Sequence, residues 1–183
     1  MRGLVQRVTN ASVTVIIAAT RPDATSPDAT RPDATRPDAT RPGDDDGPGD
    51  RGRVVEQVGA IGPGLCVLVG VTHDDTEAHA TKLADKIWHL RVMDDDNGVM
   101  NRSVADTTRE VLVVSQFTLY GDTNGGRRPS WIAAARPEHA EPLVERVVAR
   151  LRELGATVAT GRFRTEMQVA LVNDGPVTVL IEV

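Results

Sequence analysis

A chain of 183 residues with 40% hydrophobic content is long enough to bury the core of one compact domain, and none of its apolar runs approaches the ~20 residues of a membrane span. The formal net charge of −5 argues against a protein that binds nucleic acid through a diffuse cationic surface. Five of the 21 basic and eight of the 26 acidic residues lie in residues 16–52, so the rest of the chain has 16 basic and 18 acidic residues and is nearly neutral. All basic residues except Lys82 and Lys86 are arginines, and a local patch of arginines can still recognise phosphate.

The N-terminal segment is predicted to be a strand that leads into an insertion. Leu4–Val15 alternates apolar and polar residues, which predicts one bent strand or two short ones and differs from the continuous apolar stretch of a signal peptide. We therefore expect a cytoplasmic protein without a membrane anchor. From Thr20 onward a unit of the RPDAT type repeats, and its prolines oppose both helix formation and strand pairing. Residues 1–183 are predicted to form one domain with a low-complexity insertion at about 18–52, which is either a neutral loop or a partner-binding arm.

Two strands and a helix are predicted after the insertion. Residues 53–58 and 65–71 have strand character, and the turn at Gly62-Pro63-Gly64 between them predicts an antiparallel pair. Cys66, the single cysteine, lies inside the second strand, so we expect a small buried apolar side chain and no internal disulfide. A helix is predicted from about Thr76 to Arg91 because apolar residues recur there at helical spacing.

The acidic run at residues 94–98 is predicted to be a tight turn. A calcium loop with Gly98 at its sixth position would place Met93 first and Val104 last, where carboxylates are required. The Asn97-Gly98 pair instead favours a short turn between two extended segments.

Residues 111–131 change from a wholly apolar run into hydroxyl, amide, glycine and arginine residues. Val111–Val114 is apolar without alternation, which predicts a strand covered on both faces. We expect the strand to continue through Ser115, Gln116, Phe117 and Thr118 with alternating side chains, leaving free backbone N–H groups where pairing stops. Arg127 and Arg128 follow a glycine-rich turn, and two guanidinium groups suit a phosphate or a carboxylate.

A second helix and the last strands complete the predicted fold. The helix is expected at about 137–154, ended by Gly155, although Pro142 predicts either a start nearer Glu141 or a kink. Strands outnumber helices, so periodicity alone supports the α+β class. The final strands are predicted at residues 158–159, 167–172 and 177–183.

Side chains that could catalyse hydrolysis are scarce in this sequence. The GxSxG motif of serine hydrolases is absent. The four histidines have no spacing that favours a metal site or a general base, so we expect surface or capping roles for them and neither a metal nor a cofactor. Thr118 is a candidate nucleophile, but an unassisted hydroxyl is weak at neutral pH and no activating base is evident.

Several segments, in the right order and over nearly the whole chain, resemble the D-aminoacyl-tRNA deacylase family. They are QRVTNASVTV at 6–15, IGPGLCVLVGV at 61–71, SQFTL at 115–119, RPSW at 128–131, TGRF and MQV within 160–169, and NDGPVT at 173–178. The resemblance implies a three-layer β/β/α homodimer with mostly antiparallel strands and two main helices. It also implies an esterase that removes D-amino acids and mischarged glycine from tRNA.

The same resemblance implies how the site works. Ser115, Gln116, Phe117 and Thr118 would form the catalytic strand end, with backbone N–H groups near Phe117 and Thr118 as an oxyanion hole. The 2′-hydroxyl of the terminal adenosine would orient or activate the attacking water. Met167 would line the adenosine pocket.

Gly175-Pro176 would set the chirality of the substrate. From the residues alone a trans bond is expected, whereas the resemblance implies a cis bond that projects from one subunit into the active site of the other. Its carbonyl oxygens would hold the substrate ammonium group and exclude an L side chain, and Arg7 would brace the loop.

Two arginines and the overall function each fit more than one interpretation. Arg127 and Arg128 are candidates to contact the acceptor stem of tRNA, and Arg128 could equally take part in a structural ion pair. Two alternative functions are a related deacylase with a trans Gly-Pro that acts on L-alanyl-tRNA, and a nucleic-acid-binding dimer without catalysis.

Overall fold

The computed structural model describes residues 1–18 and 53–183. The predicted insertion at 18–52 therefore lies outside the described residues, except for the backbone of Ala18, and the assignment of the whole chain to one domain stays a prediction. The strands are β1 (Arg2–Ala18), β2 (Arg53–Ile61), β3 (Gly64–Gly70), β4 (Met93–Asp94), β5 (Met100–Arg102), β6 (Glu110–Ser115), β7 (Val158–Thr160) and β8 (Met167–Glu182). The helices are α1 (Glu77–Trp88) and α2 (Pro137–Glu153), with 3-10 helices at Val104–Asp106 and Phe117–Tyr120.

The main sheet is organised around β1. Its strand order is β2-β1-β3-β6-β7, and β8 also pairs with β1. The partners β3 and β8 are antiparallel to β1, whereas β6 runs parallel to both β3 and β7. The sheet therefore combines a long antiparallel part with a short parallel part that ends at Ser115.

The predicted antiparallel pairing of β2 with β3 is wrong, because each of these strands has β1 as its neighbour. In the link between them, the Gly62 N–H donates to the Glu110 carboxylate at 2.7 Å, and the Glu110 N–H donates to the Pro63 carbonyl at 3.3 Å. These bonds tie the link to the start of β6.

Two apolar cores lie on opposite faces of β6. Val111 and Val113 belong to a core that also contains the buried side chains of both helices, whereas Leu112 and Val114 belong to a core made of strand residues. This double burial explains the absence of alternation in the run and confirms the predicted covered strand. One helical layer and two β layers result, which confirms the predicted α+β, three-layer arrangement; the dimer stays a prediction.

Cys66 is buried in the core made of strand residues. Burial raises the pKa of its thiol to about 11. The side chain therefore stays protonated at neutral pH and packs as an apolar group, as predicted.

Helix α2 begins at Pro137 and keeps Pro142 inside, so the predicted start nearer Glu141 is wrong. Proline suits the first helical position, where its missing N–H costs nothing. The N–H that Pro142 lacks would have bonded the Glu138 carbonyl, and both residues are exposed, so water can satisfy that carbonyl.

Three further predictions concern local structure. The turn at residues 94–98 is confirmed: it joins β4 and β5, Gly98 has φ +74°, and the Asp95 carboxylate accepts the Asn97 and Val99 N–H groups. The two predicted C-terminal strands form one strand, β8, which is interrupted by a bulge. Within the described residues, neither helix is long and apolar enough to cross a membrane.

Candidate active site

The chain leaves the sheet at the end of β6 and turns at once. Ser115 pairs with Val69, the Gln116 N–H donates to the Val69 carbonyl at 2.7 Å, and a 3-10 helix follows from Phe117 to Tyr120. The predicted continuation of the strand through Thr118 is therefore wrong. The turn packs onto β3 at Gly70, where a Cβ atom would lie 3.0 Å from the Leu119 Cβ and 3.2 Å from the Gln116 carbonyl oxygen.

This turn presents two free backbone donors. Inside it, the Leu119 N–H donates to the Gln116 carbonyl at 3.3 Å and the Gly121 N–H to the Thr118 carbonyl at 3.0 Å. The N–H groups of Phe117 and Thr118 have no acceptor in the part of the chain that the structure describes. Adjacent free N–H groups at a fixed turn are the arrangement that stabilises a developing oxyanion.

The side chain of Thr118 lacks an activating base. Its hydroxyl accepts a hydrogen bond from the Gln116 amide nitrogen, which is a donor and cannot take up a proton. A nucleophilic hydroxyl needs a neighbouring acceptor with a suitable pKa. The geometry therefore supports a positioning role for Gln116 and Thr118.

A cavity of about 670 Å³ opens beside the turn. This volume lies in the range of small-molecule sites. The cavity brings together four residues that were predicted for the site: Ser115, Gln116, Phe117 and Met167. Met167 fits there because Gly161 has no side chain, since a Cβ atom at Gly161 would lie 2.8 Å from the Met167 sulfur.

A second cavity, of about 490 Å³, shares Ser115 and Phe163 with the first. Its lining contains two acidic residues, Glu141 and Glu145, and two basic ones, Arg152 and Arg162. The lining of the first cavity contains arginine but no acidic residue, so the first cavity is the better site for an anionic ligand.

An aromatic pair borders the first cavity. Phe117 and Trp131 both line it, and their ring centroids lie 5.5 Å apart in an edge-to-face arrangement. Phe117 is 55% exposed and Trp131 is 42% exposed. Exposed rings at a cavity offer stacking surfaces for bases.

The predicted arginines lie on a loop next to this pair. Arg127 and Arg128 are exposed between two backbone hydrogen bonds of 2.8 Å that join Asp122 and Ser130. Neither guanidinium has a carboxylate partner among the described residues. Arg128 was predicted either to contact tRNA or to take part in a structural ion pair, and no such ion pair is found among the described residues.

Sequence reasoning missed two arginines of the cavity lining, Arg136 and Arg164. Arg136 directly precedes α2, and Arg164 directly follows the TGRF segment. Arg164 has φ +56°, the only positive φ of a non-glycine residue in the described segments. The sequence did place these two arginines next to a predicted helix and next to the TGRF segment. It could not show that their side chains point toward the same cavity.

Arg2 fixes the turn from its far side. Its Nη1 donates to the Leu119 carbonyl at 2.8 Å, its Nε pairs with Glu182 at 2.6 Å, and its guanidinium lies 4.6 Å from the centre of the Tyr120 ring. Desolvation by burial, reinforced by the charge of Asp75, raises the pKa of Tyr120 to about 12. The turn is thus attached to β1 and β8 as well as to β6.

The bulge in β8 carries Gly175 and Pro176. Gln6 pairs with Thr178 and Val8 with Asn173, so Arg7 alone faces the residues between. The Asn173 side chain closes the bulge by accepting the Val177 N–H at 2.9 Å, and Gly175 has φ +115°. Side-chain closure and a left-handed glycine together let the chain leave the sheet and return.

The predicted cis bond between Gly175 and Pro176 is wrong for this structure, which has no cis peptide bond among the described residues. The positive φ of Gly175 supplies the change of direction, so the bulge closes with a trans bond. This geometry agrees with the expectation drawn from the residues alone.

Arg7 braces the bulge, as predicted. Its side chain is only 8% exposed, its Nε donates to the Asp174 carbonyl at 3.2 Å, and its Nη1 donates to the Val92 carbonyl at 2.8 Å. It also pairs with the carboxylates of Asp94 at 3.1 Å and Asp174 at 3.3 Å. A buried guanidinium with these partners holds the bulge in one position.

Within one chain the bulge and the cavity are separate. Neither Gly175 nor Pro176 lines the cavity. Met167 lines it, and Asn173 lies six residues further along the strand, at a distance of about 20 Å in extended conformation. One protomer therefore does not bring its own Gly-Pro segment to its own cavity.

The histidines have capping and loop contacts, as predicted. The Thr76 N–H donates to His79 at 3.2 Å, and the His89 ring contacts the Asp85 carbonyl at 2.9 Å. His73 contacts the Ile132 carbonyl at 2.7 Å and His139 contacts the Asp75 carbonyl at 3.0 Å. Among the described residues, no histidine lines either of the two cavities next to Ser115.

Solved structures identify the class of fold. One neighbour, described as "c-Myc DNA Unwinding Element Binding Protein", has a TM-score of 0.75 and 33% identity, and the match covers 100% of this chain and 99% of that one. Another, described as a probable eukaryotic D-amino acid tRNA deacylase, has a TM-score of 0.67 at 13% identity and shows the fold alone. The β/β/α arrangement is thus shared with both of these structures.

Sequence comparisons identify the family. The profile described as D-Tyr-tRNA(Tyr) deacylase matches residues 51–182. A D-aminoacyl-tRNA deacylase from Heliobacterium modesticaldum is 59% identical over 72% of this chain and 90% of its own length. One from Streptomyces griseus is 48% identical over the full length of both chains. The chain belongs to the D-aminoacyl-tRNA deacylase family.

Proposed function

We propose that this protein hydrolyses the ester bond between a D-amino acid, or mischarged glycine, and the 3′ end of tRNA in the cytoplasm. The observation that carries the proposal is the pair of free N–H groups at Phe117 and Thr118 beside a cavity of nucleoside size. Membership of the deacylase family supports the same activity.

The reaction follows from this arrangement. The terminal adenosine occupies the cavity against Met167, and the ester carbonyl oxygen accepts from the N–H groups of Phe117 and Thr118. Water adds to the carbonyl carbon, the ester C–O bond breaks, and the free amino acid and the 3′-hydroxyl of tRNA are released. Donors fixed by a turn that is anchored on three strands stabilise the oxyanion without reorganising.

No protein base is needed in this mechanism. The 2′-hydroxyl of the terminal adenosine orients or activates the water, while Ser115 and Gln116 hold the strand end. The hydrogen bond from the Gln116 amide to the Thr118 hydroxyl supports a structural role for both side chains.

Chirality is selected by the bulge of a second protomer. In a homodimer, Gly175 and Pro176 of one subunit enter the cavity of the other, where main-chain carbonyl oxygens accept from the substrate ammonium group and exclude a bulky L side chain. The separation of bulge and cavity within one chain supports an arrangement across subunits. Arg127 and Arg128 then contact the acceptor stem.

Paired substrate and protein changes test the mechanism. Thr118→Ala is expected to lower kcat for D-tyrosyl-tRNA by less than about tenfold, because only a positioning contact is lost. A 2′-deoxy terminal adenosine is expected to abolish turnover by the wild-type protein. Loss of activity in a normally folded Thr118→Ala protein would restore the nucleophile hypothesis.

The trans bond before Pro176 favours one alternative substrate. A trans Gly-Pro leaves the pocket open to a small L side chain, so L-alanyl-tRNA is the second candidate. Initial rates with D-tyrosyl-tRNA and L-alanyl-tRNA, measured on the same enzyme preparation, decide between them. A higher kcat/KM for L-alanyl-tRNA would reject the D-specific proposal.

The name of one structural neighbour favours another alternative, a nucleic-acid-binding dimer without catalysis. The same hydrolysis assay separates the two functions, because a binder leaves the ester intact. Light scattering measures whether the protein forms a dimer in solution.

A further inference from the structure

We propose that Arg136 and Arg164 bind the phosphodiester that joins the terminal nucleoside of the substrate to the preceding nucleotide. The inference rests on the proposed function and deepens it, since it assigns a phosphate subsite to the cavity. Both residues line the same cavity as Ser115, Gln116 and Met167.

The position of the two arginines fits a group at the edge of the cavity. Both residues are exposed, although they belong to its lining. If the terminal nucleoside fills a cavity of about 670 Å³, the rest of the tRNA stays outside it, so the phosphodiester to the preceding nucleotide must cross the opening. Two guanidinium groups at that opening can therefore reach the first phosphodiester.

The pairing pattern of the arginines supports an external anion. Eight arginines of the described chain donate hydrogen bonds to protein acceptors: Arg2, Arg7, Arg91, Arg102, Arg146, Arg150, Arg152 and Arg162. Arg136 and Arg164 have no such acceptor among the described residues, nor does any carboxylate line their cavity. A guanidinium without a protein partner remains available for bidentate binding.

The backbone of Arg164 gives an independent indication. Its φ of +56° lies in the left-handed region, which is unfavourable for a side chain as bulky as arginine. Glycine would fit this conformation without strain. Residues in such conformations cluster at functional sites, which is consistent with a binding role for Arg164 at the cavity.

The chemistry of the substrate identifies the anion. In an aminoacyl-tRNA the carboxylate of the amino acid is esterified and carries no charge, and the ammonium group is a cation. The nearest anion to the terminal nucleoside is therefore the phosphodiester on its 5′ side. Arginine matches phosphate geometry through parallel N–H donors.

Equilibrium binding of two probes tests the proposal without relying on hydrolysis. The trinucleotide CCA contains this phosphodiester, a second one and two cytidines that adenosine lacks, so the change in the ratio of the two Kd values on substitution of an arginine reports the contact of that arginine. Arg164→Gly is expected to weaken CCA binding about tenfold more than adenosine binding, as for loss of a charge-assisted hydrogen bond. The slope of log Kd for CCA against log salt should fall by about one.

Two variants and one control complete the experiment. Arg136→Ala should give the same selective loss, and Arg164→Lys should keep the charge but recover only part of the affinity. Arg109→Ala is the matched control, because Arg109 precedes β6 at the end opposite Ser115 and also lacks a partner among the described residues. It should leave both Kd values unchanged.

The stability of Arg164→Gly distinguishes a binding role from a structural one. Its Tm should stay within a few degrees of wild type because glycine accepts the left-handed backbone. Equal loss of CCA and adenosine binding, or no loss of either, would overturn the phosphate subsite. If the wild-type protein hydrolyses no aminoacyl-tRNA but Arg164→Gly still loses CCA selectively, the proposed function fails and the phosphate subsite stands.

Discussion

Two arginines of β1 hold two different kinds of main-chain surface. Arg2 donates to the Leu119 carbonyl and fixes a turn with free N–H groups, whereas Arg7 donates to the Asp174 carbonyl and fixes a bulge whose carbonyls can accept. The first surface suits a developing oxyanion and the second suits an ammonium group. Both are built from backbone, so a side-chain rotation in either cannot abolish them.

The two braces differ in burial. The side chain of Arg7 is 8% exposed and bonds to four protein groups, whereas that of Arg2 is 36% exposed and is partly open to solvent. The bulge is therefore more dependent on its arginine than the turn is. Substitutions at the two positions should separate stability from catalysis.

Replacing Arg7 should have the largest effect. Arg7→Ala leaves Asp94 and Asp174 without their shared cation and the buried Val92 carbonyl without its donor, and we expect a loss of about 3 kcal/mol in the free energy of unfolding. Urea denaturation measures it. Arg102→Ala, which breaks the exposed pair with Asp96, is the control and should change the stability far less, because solvent screens that pair.

Substitution of Gly175 tests the bulge itself. In Gly175→Ala the new Cβ atom would lie 2.8 Å from Val177 and 2.9 Å from the Arg7 guanidinium at a φ of +115°. We expect a stability loss of about 2 kcal/mol and a fall in kcat/KM of at least about tenfold.

Gly98→Ala is the matched control for this substitution. Gly98 also has a positive φ, but a Cβ atom there would meet nothing within 4 Å. It should lose stability without losing activity. If both substitutions change the activity equally, the bulge has no specific role in catalysis.

Replacing Arg2 should have a smaller effect, mainly on catalysis. Arg2→Ala removes the donor to the Leu119 carbonyl and loosens the turn. If the transition state loses about 1 kcal/mol of stabilisation, kcat should fall about fivefold, with KM little changed. Glu182→Gln breaks the ion pair but keeps that donor, and its kcat should stay nearer to wild type. A rise in KM alone would contradict a role in positioning the N–H groups.

The same comparison explains what could be predicted from the sequence. Apolar patterns located β6, α1 and the double-sided core, because burial on two faces removes alternation. The 3-10 turn after Ser115 was not predictable, since it depends on the close approach of Leu119 to Gly70, a residue distant in sequence. Arg136 and Arg164 were missed for the same reason: only the folded chain places them at one cavity.

Titration of Tyr120 tests the packing of the turn with the smallest disturbance. It is the single tyrosine of the chain, so tyrosinate absorbance in the near ultraviolet reports it directly. Burial raises its pKa from 10.0 to about 12, and we expect the folded protein to titrate there. The unfolded chain then loses its phenolic proton first as pH rises, so stability should be complete below pH 10 and fall between pH 10 and about 12. Cys66, with a pKa raised to about 11, acts in the same direction. Because burial is the main cause of the rise and the Arg2 charge acts against it, a folded protein whose tyrosine titrates near 10 would contradict the burial of Tyr120 at the Phe117–Tyr120 turn.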